Sequence, residues 1–99
     1  MSTPPPKKEN QLQIQLDDDV AQGIYANLTM VNHTETEFTL DFIYLQPQQP
    51  RAKVRARIIS SAQHTKRLLM ALKDNIEKYE KKFGEIDVSG PSPADEALH

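Results

Sequence analysis

The sequence predicts an α+β fold: a four-stranded antiparallel meander followed by one long C-terminal helix (β-β-β-β-α), with the helix packed on one sheet face. Three observations predict it. Apolar residues alternate with polar ones through four runs, and in every run the apolar members are even-numbered. The breaks between runs are short and turn-like. After Ser60-Ser61 the apolar spacing changes from two to three and four, the period of a helix.

The first run, Gln11-Leu-Gln-Ile-Gln-Leu, carries Leu12, Ile14 and Leu16. The second carries Val20, Ile24, Ala26, Leu28 and Met30, the third Phe38, Leu40, Phe42 and Tyr44, and the fourth Ala52, Val54, Ala56 and Ile58. Successive side chains of a strand point to opposite faces, so each run has one apolar and one polar face. The breaks Asp17-Asp-Asp, Asn32-His-Thr-Glu-Thr and Gln46-Pro-Gln-Gln-Pro are short enough to imply hairpins. Gly23, a lone glycine inside the second run, points to a bulge or a close backbone approach.

The helix is expected to begin at Ser60, which with Gln63 fits a capping box. Leu68, Leu69, Leu72, Ile76, Tyr79 and Phe83 form its apolar stripe. Gly84 stands where a C-cap belongs, Lys81 and Lys82 complement the dipole in the last turn, and Asp74–Lys78 and Glu77–Lys81 are i,i+4 pairs. The helix runs about six turns. Residues 1–10 and 87–99, with Pro4-Pro5-Pro6 and Ser89-Gly-Pro-Ser-Pro, read as disordered tails around a single domain at 11–86.

Composition narrows the class. A chain of 99 residues makes one small domain with a modest core, for which assembly is a natural stabiliser. There is no cysteine, so disulfides and thiolate metal sites are excluded and a cytoplasmic location is expected. The first ten residues contain no apolar run of the signal-peptide kind, and no stretch is apolar enough to span a bilayer. The sequons at Asn27 and Asn32 have no meaning without secretion.

The net charge of −2 conceals an asymmetry: residues 11–50 hold six acids and no Lys or Arg, whereas 51–83 hold ten Lys or Arg against three acids. Six of those cations, Arg51, Lys53, Arg55, Arg57, Lys66 and Arg67, fall within seventeen residues. Strand alternation puts Lys53, Arg55 and Arg57 on the odd face. A hairpin about 46–50 sets Asp41 near Arg55, and Glu37 or Thr39 near Arg57, where each opposite-charge pair contributes about 0.2–1 kcal/mol. The competing reading is a polyanion surface, with Lys66 and Arg67 at the positive end of the helix. Residues 51–67 contain no aromatic for base stacking, and the pI of about 5.9 is low for a nucleic-acid domain.

Catalytic and metal chemistry has little footing. His33, His64 and His99 have no second ligand at i+3 or i+4, three acids in one tight turn lack a calcium loop, and Ser60 and Ser61 have no base at a diagnostic spacing. His64 reads as a cap-region polar residue. We expect no enzyme, no cofactor and no metal. The odd face does carry apolar residues, Tyr25, Val31, Ile43, Leu45 and Ile59, and the helix stripe has a/d heptad spacing, so a homo-oligomer, dimer or tetramer, is expected.

The phrases Gly23-Ile-Tyr-Ala-Asn-Leu, Glu37-Phe-Thr-Leu-Asp-Phe-Ile and His64-Thr-Lys-Arg-Leu-Leu-Met-Ala-Leu-Lys-Asp-Asn-Ile-Glu-Lys-Tyr-Glu-Lys-Lys-Phe-Gly resemble a small uncharacterised bacterial family of unknown function. That resemblance implies no activity. The order of strands and helix is similar to the SecB export-chaperone fold, a likeness of topology alone. The expected function is a small non-enzymatic oligomeric protein-interaction module, chaperone-like or adaptor-like in binding peptides or proteins. The alternative is nucleic-acid backbone binding through the basic fourth strand and the helix start.

Overall fold

The computed structural model describes residues 11–90, so the expected tail at 1–10 and all but residues 87–90 of the expected tail at 87–99 lie outside the described residues. In chain order the elements are a single helical turn α1 (Asp18–Ala21), strands β1 (Leu28–His33), β2 (Glu37–Gln46) and β3 (Arg51–Ser61), and helix α2 (Ala62–Phe83). The strands form one antiparallel sheet in the order β1-β2-β3. The class is therefore α+β with a C-terminal helix, as expected.

Of the four expected strands, three are found among the described residues, and the first is missing. Residues 11–16 form no strand, and Asp17 opens α1, accepting backbone hydrogen bonds from Val20 (3.0 Å) and Ala21 (2.8 Å). Asp18 and Asp19 sit in the first turn, where helix dipole and acid charge agree. The next run keeps only its end as β1, and Gly23 takes φ +77° after the turn, a backbone region that favours glycine.

Asn27 anchors the entry to the sheet. Its backbone N–H donates to the Ile43 carbonyl (3.0 Å), its side-chain amide donates to the Leu45 carbonyl (2.9 Å), and its Oδ1 accepts from the Leu45 N–H (2.9 Å). One amide thus substitutes for a strand residue beside the end of β2. At the other end the turn is closed by Thr34, whose N–H donates to the Glu37 carbonyl at 2.8 Å.

The even-number rule fails across the sheet. His33 pairs with Phe38 and Val31 with Leu40, so the odd residues of β1 share a face with the even residues of β2. In the second hairpin Gln46 pairs with Arg51 and Tyr44 with Lys53, again odd with even. A β-bulge at Phe42/Ile43 then shifts the register: Ile43 faces Val54, Phe42 faces Ala56, and Arg55 has no opposite residue. Beyond it Leu40 faces Ile58 and Asp41 faces Arg57. One face therefore carries Val31, Phe38, Leu40, Tyr44, Ile58 and Lys53. The other carries Leu28, Met30, Ile43, Leu45, Ile59 and Arg57.

The core sits in β2, as the central strand requires. Leu40, Ile43 and Leu45 are its buried apolar residues, and Asp41 is buried with them. The helix covers little of this. Thr65 and Leu68 are half-buried, but Leu69, Leu72, Ile76, Tyr79 and Phe83 stay about half exposed or more. The expectation that the helix lays its stripe across the sheet holds for its first turns only. Its 22 residues measure about 33 Å, far more than three strands offer across their width. The chain spans 71 × 34 × 32 Å with a radius of gyration of 18.7 Å. A compact domain of this size has about 13 Å.

Candidate functional site

The helix start is built as the sequence indicates, one residue later than expected. Ser61, not Ser60, is the N-cap: its Oγ accepts the His64 backbone N–H at 3.0 Å, and the Thr65 hydroxyl donates to the Ser61 carbonyl at 2.7 Å. Gly84 closes the helix with φ +96°, its N–H donating to the Glu80 carbonyl at 2.9 Å. Of the two expected helix-surface pairs, Asp74–Lys78 is made at 3.0 Å.

Between this first part of α2 and the sheet lies an apolar groove of about 580 Å³. Its walls are Val31, Phe38 and Leu40 from the strands and Leu68, Leu69 and Leu72 from the helix, with Thr65 and Lys66 at the rim. Two of these, Val31 and Lys66, belong to the set expected from sequence. Beyond Leu72 the same helix carries the exposed stripe residues Ile76, Tyr79 and Phe83, and the last two rings lie 5.0 Å apart. Among the described residues no group of three or more His, Cys, Asp or Glu is placed to hold a metal ion, beside this groove or elsewhere.

The basic strand is divided by the bulge. Lys53, Arg55 and Arg57 do not share a face as alternation suggested. Arg51, Lys53 and Arg55 gather with Tyr44 and Gln46 around a shallow hollow of about 320 Å³. Tyr25 meets Tyr44 there edge-on, with ring centroids 6.0 Å apart. Arg57 goes to the opposite face and meets Asp41 directly, its Nε 2.7 Å from Oδ1 and its second guanidinium nitrogen 2.9 Å from Oδ2. The sequence placed Asp41 beside Arg55; the observed hairpin register, with Gln46 opposite Arg51, moves the partner one position on, and the unpaired bulge residue moves it one more, to Arg57. The fork geometry makes this pair specific to arginine.

The hydrogen bond from Arg57, aided by the guanidinium charge, holds the Asp41 carboxyl below its ordinary value of 3.8, against a smaller opposing effect of burial. A carboxylate whose folded value is depressed stabilises the fold above the unfolded value and loses that contribution as pH falls through the folded one. Acid unfolding monitored by circular dichroism should therefore show stability declining from about pH 4 downward, and Asp41→Asn should flatten that decline. An unchanged acid profile in the variant would remove Asp41 from the account.

The remaining expected site residues separate. Ile43 and Leu45 are core, not interaction surface: β2 is the central strand, so Ile43 is flanked by Leu28 and Val54, and Leu45 by Ala52 and the Asn27 amide. Ile59 is exposed, on the Arg57 face of β3. The His64 and Arg67 side chains are exposed on the first turns of α2. Sequence reasoning missed the hollow around Tyr44, because its aromatic comes from the neighbouring strand. It also missed the Asn27 anchor, for which an asparagine in a run otherwise suited to a strand was the one available signal.

Fold and groove together define a small α+β domain with a thin core and a long, largely uncovered amphipathic helix. The chain belongs to the family described as Protein of unknown function (DUF3467), whose family model matches residues 1–88. No curated protein matches the chain, and no solved structure does. The likeness to SecB topology rested on four strands, and the sheet has three. No helix among the described residues is long and apolar enough to cross a membrane.

Proposed function

We propose that the chain is the subunit of a small homo-oligomeric, non-enzymatic protein-interaction module, acting in the cytoplasm through the apolar groove and the stripe of α2. The carrying observation is the exposure of the stripe: Leu69, Leu72, Ile76, Tyr79 and Phe83 leave about half or more of each side chain in water. Together they present on the order of 500 Å² of apolar surface, at the upper end of what monomers tolerate. A standard interface takes about 800 Å² per partner, which stripe and groove approach when covered together. Sedimentation velocity over a concentration series tests this. Assembly at low micromolar concentration is the expected result, and a monomer at several hundred micromolar would refute it.

One observation favours a second reading, binding of a nucleic-acid backbone. The hollow lined by Arg51, Lys53 and Arg55 has Tyr44 as its neighbouring ring, so the cations are not without an aromatic after all. Binding to random single-stranded DNA and RNA, titrated with salt, decides it: phosphate contacts give a steep salt slope, and no binding at low salt rules it out.

A further inference from the structure

Residues 11–16 are the element the sequence predicts most simply and the fold uses least. Gln-Leu-Gln-Ile-Gln-Leu alternates as a strand should, yet it pairs with nothing among the described residues. Leu12 and Ile14 are each 84% exposed. Three large apolar side chains at alternate positions of an unpaired segment have neither hydrophobic burial nor backbone partners. The sheet has the complementary vacancy: β1 pairs with β2 on one side only, and among the described residues its outer edge has no backbone partner. That edge borders the apolar groove through Val31.

We infer that residues 11–16 are an exchanged arm, which adds as a strand to the outer edge of β1 in a second copy of the chain and places Leu12, Ile14 and Leu16 in that copy's groove. The inference rests on the homo-oligomer reading above and names its joint. Length agrees, since arm and β1 are each six residues long. Aligned over their full length, Ile14 comes opposite Val31, and the arm's even face continues the side of the sheet that Phe38 and Leu40 line.

Charge agrees as well. With the arm parallel to β1, Asp17, Asp18 and Asp19 follow it past His33. That end of the sheet is also where α2 begins, because Glu37 pairs with Ser61. There Lys66 lines the groove and Arg67 stands next to it, and neither makes an ion pair among the described residues. The three acids likewise have no cationic partner among them. The chain's own arm leaves its own groove empty: α1 and the Asn27 anchor lie between the arm and β1. Supply from a second copy fills the edge, the groove and the rim at once, as in strand exchange generally.

The native chain lacks cysteine, so engineered thiols report without background. One full-length chain carries only Ile14→Cys and another only Val31→Cys; they are mixed and oxidised. Opposed strand positions lie close enough for a disulfide, and a heterodimer linked 14-to-31 is expected in high yield. A link formed only when both cysteines are in the same chain would show the arm folding onto its own groove and would overturn the exchange. Capture of Ile14→Cys by Ile59→Cys in place of Val31→Cys would overturn the placement on β1. Ile14→Asp provides a second reading, because the arm makes no contact that the subunit fold needs: assembly should weaken about tenfold or more with the circular dichroism spectrum unchanged. If this variant assembles as well as the native chain, the arm inference fails while the oligomer stands. If the native chain is itself a monomer, both fail.

Discussion

Replacing Ile43 with alanine should lower the unfolding free energy by about 2–4 kcal/mol, read as a fall in the urea midpoint at unchanged slope. Ile43 is 4% exposed, the most buried of the three apolar core residues. It occupies the centre of β2 between Leu28 and Val54, at the step where the register with β3 shifts. A methyl-for-butyl exchange at such a site removes transfer free energy and leaves a cavity that a close-paired sheet cannot collapse to fill. Small domains hold only a few kcal/mol in total, so the variant should be largely unfolded at 37 °C. A loss below about 0.5 kcal/mol would mean that the stability of this chain does not reside in β2. Ile59→Ala is the matching control, since Ile59 is exposed, and a change within about 0.5 kcal/mol is expected.

Ile76→Asp should dissociate the assembly by two orders of magnitude or more while leaving the subunit folded. Ile76 is 45% exposed and follows Leu72 by one turn on the stripe. Burying one such side chain contributes about 1.5–3 kcal/mol, and where two helices meet through the same face every substitution acts twice, which gives about a hundredfold or more in the dissociation constant. The cost to the isolated helix is a few tenths of a kcal/mol. Sedimentation and circular dichroism together separate the two effects: a monomer with native helicity is expected. An assembly of undiminished strength would take the stripe out of the interface.

The helix was the most legible element because its signals are local. The three-and-four spacing, the serine cap, Gly84 and the terminal lysines all act within one or two turns, and the structure returns each of them within a residue. β2 and β3 were legible for the same reason: alternation is a property of one strand. What joins strands is not local. Whether two even residues meet depends on how many residues lie between paired positions, and the four between His33 and Phe38 set odd against even. The bulge at Arg55 then reversed the relation within β3, which alternation alone gives no means to foresee. That is why Arg57 was correctly matched to an acid strand but not to its acid, and why Ile43 and Leu45 were assigned to a surface. Leu12, Ile14 and Leu16 failed differently. Their pattern is that of a strand, and a strand needs an edge, which the single chain does not give them.

The bulge in β3 also bears on how this chain tolerates change. Arg55 is the residue with no opposite number, so deleting it alone would leave every other pair in place and restore unbroken alternation along β3, with Val54 and Ala56 as direct neighbours on opposite faces. The strand therefore has one position that its length can lose. A residue added elsewhere in β3, with no second bulge to absorb it, would carry everything beyond it to the opposite side of the sheet.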